Sequence, residues 1–367
     1  MAILIFIVIL VGLILVHELG HLVAAKWFGI RVDQFNIGFP PRLFKIQKGE
    51  TLYSFNLLLL GGYVQIYGEN PEEGAAGDPR ALSSRSRWTQ AAVVVAGVAV
   101  NALVAWLLLS AGYMAGLPAA VDHQGVGVVT NARPMVVGIL PGSPAEKAGL
   151  MGGDVIETIQ TGTTKLDTRT QSTDRQAEVV RAFIGQHAEE SLVFTVVRQK
   201  QEKTFLAKAE DGLVEGRKAV GIELADVGIL QLPPHLALWQ GALLAKNIFV
   251  QTAAGLGNFA ASLVRGGANF NQVSGPIGIV TMGGVAVQEG FAAAIVLVAS
   301  ISMALALFNL IPIPGLDGGR LLILAIEGVL RRRVPQKLVI GLTLAGMALL
   351  ILLMVVVSYN DIAKLVG

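Results

Sequence analysis

His17-Glu18-Leu19-Gly20-His21 sets two imidazoles and a carboxylate where ionisable groups are costly. On a helix the H-E-x-x-H spacing puts both histidines on one face, one turn apart, with the glutamate beside them. That is the pattern of two zinc ligands and a general base for hydrolysis. Met1 to Val16 contains no ionisable side chain, and apolar residues resume at Leu22-Val23-Ala24-Ala25. The segment reads as a bilayer span, where a charged side chain at mid-depth costs roughly 2.5–3.5 kcal/mol or more. Such residues at metal-ligand spacing point to a metal site inside a membrane.

A catalytic zinc takes three protein ligands and one open position, so a third ligand must lie elsewhere. Glu289, Asp317, Glu327 and Asp361 are the carboxylates near apolar segments. Asp317 is singled out by its context, Asn309-Leu310-Ile311-Pro312-Ile313-Pro314-Gly315-Leu316-Asp317-Gly318-Gly319. Prolines and glycines break a helix there, and broken backbone at membrane depth is tolerated only inside protein or beside a wet cavity.

The elements that must position these groups follow from composition. The chain has 367 residues, 53% hydrophobic and 15% charged, against about 25% charged in ordinary globular domains. It is expected to be a membrane protein with soluble mass attached. A net charge of +2 offers no footprint for nucleic acid. Without cysteine, disulfides and thiolate metal ligands are excluded. The N-terminus lacks the basic region and cleavage site of a secretory signal and reads as a retained span. Spans are expected within 1–28, 90–117, 290–320 and 338–358.

Lys26, Arg31, Arg42, Lys45 and Lys48 follow the first span, and Arg80, Arg85 and Arg87 precede the second. The positive-inside rule therefore places the segment 29–89 in the cytoplasm and the region after Leu117 outside. Arg331-Arg332-Arg333 should also be cytoplasmic, which holds only if 236–264 does not cross. The region 234–289 is accordingly expected to contain an interfacial amphipathic helix on the outer side. With this topology the first and third spans both run inward, bringing His17–His21 and Asp317 to comparable depth toward the cytoplasm.

Residues 125–227 carry charge, turn residues and short alternating runs such as Leu192-Val193-Phe194-Thr195-Val196-Val197. Within them, Ser143-Pro144-Ala145-Glu146-Lys147-Ala148-Gly149 predicts a short helix. Ser143 would be its N-cap, Glu146 would complete a capping box, and Gly149 would be its C-terminal cap. With the following Gly153-Asp154-Val155-Ile156, this resembles a PDZ domain, on the extracytoplasmic side by the topology above. Nearer the N-terminus, Thr51–Leu57 and Gly62–Tyr67 read as two short strands around Gly61-Gly62. An edge strand there could hold an extended substrate, since a helical one hides its peptide bonds.

H-E-x-x-H in the first span, N-x-x-P-x-P-x-L-D-G in a later one and a PDZ-like segment between them resemble the site-2 protease family. The bacterial branch that cleaves anti-sigma factors is the nearer likeness. Gly38-Phe39-Pro40-Pro41, Gly61-Gly62-Tyr63-Val64, Ser274-Gly275-Pro276-Ile277 and the G-x-x-x-N of Gly97 to Asn101 add to it, so the likeness covers essentially the whole chain. There is room for one PDZ domain, where some members carry two.

The resemblance implies a polytopic α-helical membrane protein of about four transmembrane helices, with a membrane-associated β-hairpin and one extracytoplasmic PDZ domain. It implies Zn²⁺ held by His17, His21 and Asp317, with Glu18 as the catalytic base. Asn309 would bind substrate backbone or the transition state; the alternative is a hydrogen bond across packed helices, the role expected for Asn101. Substrates would be transmembrane segments of single-span proteins, such as anti-sigma factors after a first cut or signal-peptide remnants. The setting would be the bilayer of a bacterial inner membrane, and a peptide C-terminus could dock at the PDZ domain. Two rival classes remain. A catalytically silent PDZ scaffold predicts loss of Glu18 or a ligand. A zinc transporter predicts polar residues spread over several spans, whereas the second and fourth are almost purely apolar.

Overall fold

The computed structural model describes residues 1–69, 77–123, 125–170, 175–214, 217–267 and 274–366. Parts of the expected cytoplasmic segment (70–76) and of the interfacial region (268–273) lie outside them. The chain forms two compact units, Met1–Leu109 with Gly241–Gly367, and Ser110–Gln240.

The first unit opens with helix α1 (Ala2–Trp27), strands β1 (Val32–Lys48) and β2 (Thr51–Ile66), and helix α2 (Arg87–Ala115). Its C-terminal part contains α5 (Pro234–Val264), which enters it at Gly241, then α6 (Pro276–Glu289), α7 (Phe291–Leu310), α8 (Asp317–Leu330) and α9 (Gln336–Val366). Among the described residues, four helices are long and apolar enough to cross a membrane: α1, α2, α7 and α9. They fall on the four stretches expected from hydropathy. The outward sides of α1 and α9 expose large apolar residues, Leu4, Val8, Leu344 and Leu352 among them, as a lipid-facing surface requires.

Thr51–Ile66 corrects the expectation of two strands turning at Gly61-Gly62. It is one strand, and the turn lies at Gly49-Glu50, where Gly49 adopts φ 62°. Glycine tolerates that left-handed backbone without strain. The Gly-Gly pair has another role. A Cβ on Gly62 would stand 2.9 Å from the Asn36 carbonyl oxygen and 3.4 Å from Cγ of Glu18, so glycine lets the strand pass close to both. Both strands bend. Leu52–Phe55 lies against Phe44–Gln47 on one edge and Gln34–Ile37 on the other, and Gln34–Ile37 lies in turn against Gly62–Gln65. Leu22 and Ala25 of α1, Val32 and Phe35 of β1, Ile66 of β2 and Val93 of α2 form the core that fixes this sheet to the helices.

Helix α6 packs on α1 where Gly283 leaves no room for a Cβ beside the Phe6 ring. Its N-terminus is held by Asp361 of α9, which is 4% exposed and accepts the N–H groups of Gly275 (3.1 Å) and Gly278 (2.8 Å). Free N–H groups at a helix start need such a partner, and a carboxylate also suits the positive end of the dipole.

The second unit contains β3 (Leu117–Ala120), β4 (Thr130–Ile139), α3 (Pro144–Ala148), β5 (Val155–Thr161), β6 (Thr164–Asp167), α4 (Gln176–Gln186), β7 (Ser191–Arg198), β8 (Gln201–Lys208), β9 (Glu210–Val214), β10 (Arg217–Ala219) and β11 (Ile222–Leu230). One sheet has the order β3-β11-β4-β5-β7-β8, with β6 on β5; β9 pairs with β10. Val136, Ile156, Ile159, Val180, Leu192, Phe194 and Val196 are wholly buried between this sheet and α4. The Ser143 hydroxyl accepts the Glu146 N–H, and Gly149 adopts φ 90°. Glu146 reaches the N–H of Gly142 (2.6 Å), one residue before the cap, because the Ser143 N–H already bonds to the Leu140 carbonyl. Asp154, fully buried, is gripped at both oxygens by Arg198 (2.6 and 2.7 Å).

Asp361→Ala should cost about 1.5–3 kcal/mol, the loss of hydrogen bonds to a buried carboxylate. Thermal unfolding of the detergent-solubilised protein should show a lower midpoint, with Asp361→Asn intermediate.

Candidate metal and catalytic site

Two side chains one helical turn apart and a third 300 positions away converge. His17 Nε2 lies 3.1 Å and His21 Nε2 3.2 Å from the same oxygen, Oδ2 of Asp317. The two Nε2 atoms are 3.2 Å apart. A triangle of these sides has its corners about 1.8 Å from its centre, so a point about 2.0–2.1 Å from all three sits just off its plane, which is zinc's bond length to nitrogen and carboxylate oxygen. The donor set, two imidazoles and a carboxylate, suits Zn²⁺. The imidazoles are 7% and 8% exposed.

Each donor is aimed by its surroundings. Nδ1 of His21 lies 2.9 Å from the Val93 carbonyl oxygen of α2. A carbonyl only accepts, so Nδ1 carries the proton and Nε2 keeps a lone pair for the cluster. The Asn101 amide lies 3.4 Å from Nδ1 of His17. Helix α2 can come this close only through glycines. A Cβ on Gly20 would stand 2.6 Å from the Ala96 carbonyl oxygen, and one on Gly97 2.5 Å from His21 Nε2 and 2.7 Å from His17 Cε1. Small residues at a helix crossing permit such backbone approach.

Asp317 begins α8, after a break that ends α7 at Leu310. Local bonds from Ile313 N–H to Ile311 and from Leu316 N–H to Ile313 satisfy part of the freed backbone. Gly318 and Gly319 sit where the carbonyls of Leu310, Ile311 and Ile313 leave no room for a Cβ. The break thus turns the chain sharply enough to aim Asp317 back at α1. Of the other carboxylates weighed, Glu327 accepts the Val334 N–H and Asp361 holds α6. Among the described residues, the potential metal-holding group is His17, His21 and Asp317.

These three border a cavity of about 850 Å³ that also touches Glu18, Asn309 and Gly61–Val64 of β2. Glu18 packs against β2, where a Cβ on Gly62 would stand 3.4 Å from its Cγ. Elsewhere along the wall, Arg320 of α8 pairs with Glu69. His17, Glu18, His21, Asn309 and Asp317, the site residues expected from the sequence, therefore border one space. What sequence reasoning missed is the contribution of α2. The small-x-x-x-polar spacing of Gly97 and Asn101 was visible, but it does not say which helix they face.

The model of peptidase family M50 matches residues 5–353. This chain belongs to peptidase family M50. Relatives named "putative zinc metalloprotease" resemble this M50 member along nearly all their length. The one from Nostoc sp. strain PCC 7120 is 33% identical over 357 residues, 96% of this chain and 93% of its own. That of Clostridium perfringens is 31% identical over 355 residues, 96% and 95%. That of Synechocystis sp. strain PCC 6803 is 33% identical over 373 residues, 97% and 93%.

Gly97→Val should force the imidazoles apart. Metal content of the purified variant should fall well below wild type, while circular dichroism shows the helices retained.

Proposed function

We propose that this M50 member is an intramembrane site-2 protease whose zinc is held by His17, His21 and Asp317. Its class is zinc metalloprotease, it is a multi-pass membrane protein, and its substrates are membrane proteins. The observation that carries the site assignment is the triangle of donor atoms, with sides of 3.1–3.2 Å, at a boundary shared by Glu18 and a cavity.

Bound zinc supplies a Lewis acid that polarises the scissile carbonyl and brings the pKa of water toward about 7. The residues do the rest. Glu18 takes a proton from the attacking water as its oxygen bonds to the carbonyl carbon, then delivers that proton to the nitrogen as the C–N bond breaks. Asn309, on the cavity wall, donates to or accepts from substrate backbone. The Gly62–Ile66 row of β2 borders the cavity as a strand edge along which an unwound substrate pairs. Exposed Phe44 and Ile46, with Lys45 and Lys48 nearby, support a membrane-associated hairpin.

The active site faces the cytoplasm of a bacterial inner membrane. Trp27 and Trp88, 84% and 87% exposed at the end of α1 and the start of α2, stand beside Lys26 and Arg87, the aromatic and basic pairing of an interface. Helix α5, whose Ala245 clusters with Ala105 and Leu109 of α2, is the outer-side interfacial helix of this reading, and Ser110–Gln240 carries its extracytoplasmic PDZ domain. The edge of β11 near Val220-Gly221-Ile222 would take the C-terminus left by a first cut, as for an anti-sigma factor or a signal-peptide remnant. Arg181 of α4 bonds to the Leu224 carbonyl on β11, so a peptide must displace it. That contact favours a second role, exclusion of substrates by bulk.

Glu18→Gln should abolish cleavage of a transmembrane peptide while keeping about one zinc per chain; full activity refutes the base assignment. Asp317→Ala should lose the zinc, and unchanged occupancy removes it from the site. For topology, single cysteines introduced into this cysteine-free chain at Thr163 and Arg332 should differ. The first should react with an impermeant reagent from outside and the second should not.

A further inference from the structure

We propose that Asn101 is a positioning residue for the metal site, its side-chain carbonyl accepting Nδ1–H of His17 and so fixing Nε2 as a ligand. A neutral imidazole that gives one nitrogen to a metal carries its proton on the other. For His21 that proton goes to the Val93 carbonyl. For His17 the group placed at Nδ1 is the Asn101 amide, 3.4 Å away.

Two further observations bear on it. Asn101 is fully buried, and its Oδ1 has no hydrogen-bond partner while Nδ2 faces His17. An amide's oxygen and nitrogen are assigned from the network around them. Exchanging them gives the orphaned oxygen the one proton that a metal-bound His17 must donate. A donor at Nδ1 would instead leave the proton on Nε2, in the centre of the donor triangle. The placement is also firm. The Asn101 backbone carbonyl accepts the Ser302 hydroxyl of α7 at 2.8 Å, and Gly97, one turn earlier, rests against both rings. Helix packing thus holds the amide at His17 whether or not a metal is present.

This inference rests on the zinc reading of the site. The test is competition between a zinc chelator and the purified full-length protein, comparing wild type with His17→Ala, Asn101→Leu and Asn101→Asp. Leucine keeps the size without an acceptor; aspartate can only accept. Asn101→Leu should bind zinc 10–100-fold more weakly, the usual loss when a ligand's outer partner is removed, and Asn101→Asp should stay near wild type. Thermal unfolding in excess chelator measures separately what the Asn101–His17 contact contributes to the metal-free fold, so zinc affinities are compared between folded proteins. If the leucine variant does not insert, Asn101→Ala makes the same comparison. Unaltered zinc affinity in the leucine variant overturns the inference, and so does an aspartate variant as weak as leucine. Both leave the zinc site standing. A wild type that binds no zinc, or His17→Ala that loses none, removes the site itself and this inference with it.

Discussion

Everything in the membrane unit depends on bringing three metal-ligating groups together where water is scarce. An unpaired carboxylate or a wrongly protonated imidazole is costly in an apolar surround, so the donors must reach one another and their outer atoms must also be satisfied. Neither is possible with helices at ordinary spacing. Glycine at 20 and 97 removes the side chains that would hold α1 and α2 apart. The break between α7 and α8 then returns a carboxylate to the same point. Close helix crossing, broken helix and the cluster of three donors are consequences of one requirement.

The strands answer a related one. In the proposed function an enzyme among helices must hold its substrate extended, and β2 brings a strand edge to the wall that Glu18 also borders. Its own polar centre is closed. Ser54 bonds to Asn36, Asn56 to the Gly38 carbonyl and Thr51 to the Val32 carbonyl. Such satisfied networks give a sheet rigidity, so the edge can be offered without the sheet loosening.

Much of this was legible in the sequence because its signals are local. The i, i+4 histidines lie on one helix, the prolines and glycines before Asp317 announce a break, and long apolar runs declare spans. Ser143, Glu146 and Gly149 form their cap within a few residues. What was hidden involves partners remote in the chain. Asn101 reads as a packing residue until α2 is laid on α1. Asp361 reads as one more carboxylate near an apolar segment until α6 is placed beside α9. Gly61-Gly62 reads as a turn because glycine pairs usually make one; here close approach of backbone, not reversal, is what requires them.

His17 and Asp317 are separated by 300 positions, and that interval is also a time. At about 5–20 residues per second, roughly 15–60 s pass between their synthesis on the ribosome. During it α1 sits in the bilayer with its histidines but without the third donor, and β2 and the whole Ser110–Gln240 unit are made before Asp317 exists. The proposed three-donor set is therefore incomplete until Asp317 has been made. On the proposed site, the order of the chain alone keeps the donor set incomplete while α1, β2 and α2 are being made.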